Sequence, residues 1–67
     1  MAFITDEKIR DIQNAMIAYR AKKDITQADL AKLCGLSVST IQTMESGTSI
    51  PSATSYMKVK LVVESDA

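Results

Sequence analysis

Histidine and tryptophan are absent from the 67 residues, and cysteine occurs once, at Cys34. Without histidine, and with one thiol, the chain lacks the ligand set of a zinc site, so neither a metal-stapled fold nor a cofactor is expected. A single cysteine excludes an intrachain disulfide and suits a reducing cytosol. Cys34 is read as a small core residue, with a reactive thiol as the alternative. No apolar run approaches the roughly 20 residues of a membrane span. The N-terminus also lacks the basic start and apolar core of a secretory leader, so a cytoplasmic protein with no membrane association is the expectation. An excess of either charge is absent too: eight basic and eight acidic residues leave a formal net charge of zero. An enzyme is not expected, because there is no metal cluster, phosphate loop or nucleophile elbow and little room for a cleft.

The apolar fraction of 46% is that of a folded protein. A chain of this length makes one domain, 1–67, that buries a smaller fraction of its surface than a larger domain does. With disulfide and metal excluded, helix packing and a partner subunit are the remaining sources of stability.

What is present is helical periodicity. Thr5 can cap a helix whose first turn carries Asp6 and Glu7 and whose last carries Lys22 and Lys23, all favourable to the helix dipole. Ile9, Ile12, Met16 and Tyr19 form its apolar stripe. A second helix, about 27–34, follows Thr26, with Asp29 at its third position completing a weaker relative of the capping box and Ile25 and Leu30 at the two positions of a hydrophobic staple. Leu30, Ala31, Leu33 and Cys34 are its expected buried face, and Gly35 ends it. A third helix starts almost at once from Ser37. Leu36 and Ile41 repeat the staple, Ile41 and Met44 face inward, and Gly47 stops it. Pro51 holds Ile50 extended. The segment beyond is open between two readings. Met57, Val59, Leu61 and Val63 alternate as in a strand, whereas Ala53, Tyr56, Met57 and Val63 fit a helical face after Ser52.

The two staples fix a rigid corner between helices 2 and 3. The spacing over residues 27–46 resembles the helix-turn-helix of the lambda-repressor-like family of bacterial and phage regulators. Ala31 stands at the small fifth position and Gly35 at the ninth, with Leu30, Leu36, Ile41 and Met44 at the aliphatic fourth, tenth, fifteenth and eighteenth. "TIQTMESG" is similar to that family's third helix, and Gln27 to the glutamine that opens its second. "IPSATSYMKVK" is similar to its fourth-helix segment. Lys60 stands where the family buries a small residue. The fold so implied is all-α, a small four-helix domain or a five-helix one cut short, with segment 53–64 helical and 53–67 available for packing or dimerisation.

The resemblance implies a transcriptional regulator of repressor type, without enzymatic activity, whose partner is double-stranded DNA. It also implies an ion pair between Arg20 and Glu45. A helix-turn-helix presents the start of its second helix to base edges in the major groove. The implied base contacts are therefore Ser37, Val38, Ser39, Gln42 and Thr43. Gln suits adenine, and the Val38 and Thr43 methyls suit the thymine methyl. The competing reading is a solvated helix face. Gln27, at a helix N-terminus, is a candidate phosphate contact, joined by Lys22, Lys23 and Ser46. Asp29, Lys32 and Glu45 are the only charges between Thr26 and Gly47. Such weak basicity favours a homodimer on a two-fold operator. It also favours the alternative, an antitoxin-like or modulator module with a regulatory protein partner, for which DNA is secondary.

Overall fold

The computed structural model describes residues 4–48 and 50–65. Ser49 of the connector and the ends of the expected 1–67 domain lie outside the described residues. Four helices follow in order: α1 (Asp6–Lys23), α2 (Gln27–Cys34), α3 (Val38–Ser46) and α4 (Ala53–Glu64). The architecture is all-α among the described residues. Each helix begins at a hydroxyl cap: Thr5, Thr26, Ser37 and Ser52 accept from the backbone N–H three residues on. At α2 the capping box is complete, since the Asp29 carboxylate also accepts from the Thr26 N–H at 3.1 Å. Those bonds hold the Asp29 carboxyl below its usual range.

The stops are as local as the starts. Gly35 and Gly47 both adopt φ near +70° at helix C-termini, a region costly for a side chain and free for glycine. After α2 the Gly35 N–H bonds to Lys32 O and the Leu36 N–H to Ala31 O, the paired bonds of a Schellman turn. α1 ends in the same way at Asp24, whose φ of 57° is the one positive value at a non-glycine among the described residues.

The core gathers Ile12 and Met16 of α1, Leu30, Ala31 and Cys34 of α2, Ile41 and Met44 of α3, and Tyr56 and Val59 of α4. α3 packs on α1 and α2, and α4 covers the same two helices elsewhere. Ile4 is buried as well. It precedes the Thr5 cap and stands, with Ile9, at the two positions of a further hydrophobic staple, one that the sequence reading did not single out.

Two expectations about the core need correction. Leu33 is 56% exposed; it lies on the flank of a short helix whose core side is taken by Leu30, Ala31 and Cys34. In α4 the inward face is Tyr56 and Val59 with Val62 and Val63 beside them, while Ala53 and Met57 turn outward. Helical spacing brings Tyr56, Val59 and Val63 to one side and puts Met57 and Leu61 on another. Lys60 is half-buried at the rim. Its ammonium lies 5.7 Å from the Tyr56 ring centre and 4.0 Å from the Glu64 carboxylate. A long stem that reaches water lets lysine stand where a small residue was implied.

Candidate nucleic-acid interface

The two staples and the Schellman turn leave α3 little freedom relative to α2. A polar lock adds to them. The Arg20 guanidinium grips the Glu45 carboxylate with two parallel bonds, Nε to Oε2 at 2.7 Å and Nη2 to Oε1 at 2.8 Å. Its Nη1 reaches the Ile25 carbonyl at 3.4 Å, just before α2. Gln27 opens α2 and donates from Nε2 to the same Glu45 oxygen at 3.2 Å. One carboxylate on α3 is thereby tied to α1 and to the start of α2. Its side chain is only 6% exposed, against 25% for Arg20. The expected ion pair is present, and its link to Gln27 is an addition that sequence spacing did not reveal.

With Ile41 and Met44 inward, helical spacing puts Ser39, Gln42, Thr43 and Ser46 on the opposite side of α3 and Val38 on its flank. Val38, Ser39, Gln42 and Ser46 are exposed and Thr43 is half-buried. The hydroxyls among these positions differ in their freedom. Thr43 Oγ1 donates to the Ser39 carbonyl at 2.9 Å. Ser46 Oγ donates to the Thr43 carbonyl and lies 3.0 Å from Thr48 Oγ1. Ser37 Oγ caps the helix through the Thr40 N–H and lies 2.9 Å from Thr40 Oγ1. Ser37 is therefore a cap at the edge of the candidate face, and Ser46 closes its far end.

Beside this face runs a groove of about 270 Å³ between α3 and the start of α4. Ser39, Thr40 and Thr43 line one wall, and Pro51, Ser52 and Ser55 the other. Thr40, Ser52 and Ser55 were not singled out from the sequence as site residues. Ser52 read as a helix cap and nothing more, and Thr40 and Ser55 gave no signal of their own.

Charge is sparse here. The one charged residue of α3, Glu45, is buried and paired. Lys22 and Lys23 are exposed at the end of α1, next to the turn into α2, with the Lys23 ammonium 5.9 Å from the Tyr19 ring centre. Cys34 belongs to the core, and burial pushes its thiol above the usual range. No helix among the described residues is long and apolar enough to cross a membrane.

A short helix held rigidly outward by a glycine-hinged partner defines a helix-turn-helix domain. The family model described as Helix-turn-helix (HTH_3) matches residues 16–59, well over half of the chain. The protein belongs to this lambda-repressor-like family of DNA-binding regulators. No curated protein and no solved structure matches the chain.

Proposed function

We propose that the protein is a sequence-specific, non-enzymatic transcriptional regulator that reads the major groove with α3. The observation that carries this reading is the outward row of Ser39, Gln42 and Thr43, opposite the buried Ile41 and Met44, with Val38 exposed at its flank and Arg20–Glu45 as its brace. Exposed hydrogen-bonding and methyl groups on a fixed helix are what base-edge readout needs. Gln27, Lys22 and Lys23, with Ser46 at the far end, contact phosphate and set the register of α3 on the duplex. The second hydrogen of the Gln27 amide is free to donate while the first stays on Glu45.

A chain with no net charge gains little from phosphate neutralisation. The protein therefore acts as a homodimer on a two-fold site, which doubles its contacts. The outer face of α4 supports the pairing. Met57 and Leu61, one helical turn apart, are 45% and 67% exposed, and a symmetric contact would cover both.

A second reading rests on the neutral recognition face. In it the fold is a protein-interaction module with a regulatory protein partner, and DNA binding is secondary. Gel shifts over pooled duplex DNA at low and moderate salt separate the two. Selective shifts that persist at moderate salt support the regulator; unselective shifts that vanish with salt support the module.

A further inference from the structure

We infer that the half-site read by α3 centres on a run of about three A·T pairs, with one adenine held by Gln42 and thymine methyls met by Val38 and Thr43. The inference rests on the proposal that α3 is the DNA-reading element, and it narrows that proposal to a class of operator.

It follows from which groups on the outer face are still free. Thr43 has turned its hydroxyl hydrogen back to the Ser39 carbonyl, so it has no donor left for a base and offers a methyl group and an acceptor oxygen. Ser46 is bonded to its own helix and to Thr48. Val38 offers only methyls. Among the described outer-face residues of α3, the Ser39 hydroxyl and the Gln42 amide are the polar groups without a protein partner.

That inventory discriminates between bases. Guanine shows two acceptors in the major groove, N7 and O6, and is best met by two donors from Arg or Lys. No described residue of α3 carries a positive charge, and the oxygen of the Gln42 amide would face the guanine O6 acceptor. Cytosine shows an amino donor that suits a carboxylate. The carboxylate on α3 is Glu45, and Arg20 and Gln27 hold both of its oxygens below the surface. Adenine, with one acceptor at N7 and one donor at N6, matches the one donor and one acceptor of Gln42. Val38 and Gln42 are four residues apart, about 6 Å along the helix. This is under two base-pair steps, so methyl and amide contacts fall within two pairs of each other.

The test uses the full chain and duplexes selected from random DNA, read by fluorescence anisotropy at one fixed salt concentration. Replacing the contacted adenine by 7-deazaadenine removes N7 and should weaken wild-type binding about tenfold. The same replacement should cost Gln42→Ala almost nothing. Uracil in place of a contacted thymine removes one methyl and should cost about fourfold, the worth of one buried methyl group. Selected sites with guanine at the positions protected by α3 would overturn the inference while leaving α3 as the reader. So would selective, Gln42-dependent binding that ignores both base analogues. If no sequence-selective duplex emerges, the reading of α3 fails, and this inference fails with it.

Discussion

Removing Arg20 should destabilise the protein more than removing its partner Glu45, although both changes break the same pair. In Arg20→Ala the Glu45 carboxylate, 6% exposed, keeps only the Gln27 amide as a donor. A charge stranded in that position costs roughly 3–5 kcal/mol. Because Arg20 is itself a quarter exposed, water can enter where it stood, which puts the loss near the lower end, about 3 kcal/mol. In a domain of this size that lowers Tm by on the order of 10–20 °C. Glu45→Ala leaves a guanidinium that still bonds the Ile25 carbonyl and can turn to water. Its cost is the loss of charged hydrogen bonds, about 2 kcal/mol. Glu64→Ala is the control: its contact with Lys60 is 4.0 Å between exposed groups, worth a few tenths of a kcal/mol. Replacing both partners with apolar residues, as in Arg20→Met with Glu45→Leu, should recover part of the single-mutant losses. Thermal and urea unfolding followed by circular dichroism reads all five proteins. Equal losses from Glu45→Ala and Glu64→Ala would refute the account of this lock, and an Arg20→Ala loss smaller than that of Glu45→Ala would refute the asymmetry.

Lowered affinity of Asp29 for its proton makes part of the α2 cap dependent on pH. A depressed folded-state value adds stability above the unfolded value, and that stability is lost as pH falls through the folded one. The stability advantage of wild type over Asp29→Asn should therefore be constant near neutrality and shrink below about pH 4; a gap unchanged down to acid pH would contradict it. Cys34 is buried with a raised thiol value, so a disulfide reagent should modify it slowly in the native protein and rapidly in denaturant; fast native labelling would remove it from the core. Leu61→Glu should shift sedimentation from dimer toward monomer at high micromolar concentration while leaving the helical spectrum unchanged. Monomer alone in the wild type, with and without DNA, would remove α4 as the pairing surface.

Capping and stapling are written in short stretches, so helix starts were legible at Thr5, Thr26, Ser37 and Ser52, and stops at Gly35 and Gly47. The helix-turn-helix spacing brought α2 and α3 together because Ala31, Gly35 and the aliphatic positions specify one crossing. Side-chain commitment was not legible. Whether Thr43 points its hydroxyl at a base or back at the Ser39 carbonyl depends on a rotamer, and spacing alone is silent about it. Leu33 and Met57 were misplaced because each lies on a flank, where small rotations of a helix decide between core and water. The join between Gln27 and Glu45 needed the crossing of α2 and α3 in three dimensions. Alternation in the tail competed with helical period; the family resemblance favoured the helix, and Tyr56 and Val59 pack inward from α4 as one helical face.

The central claim is that α3 reads sequence while the start of α2 only anchors. It is tested most directly by titrating wild type, Ser39→Ala, Gln42→Ala and Gln27→Ala against a selected duplex and a scrambled one across a salt series. Ser39→Ala and Gln42→Ala should lose about 1–3 kcal/mol on the selected duplex and nothing on the scrambled one. Gln27→Ala should weaken both duplexes alike, because phosphates carry no sequence information. If the two α3 variants fold normally and keep full selectivity, α3 is not the reading element.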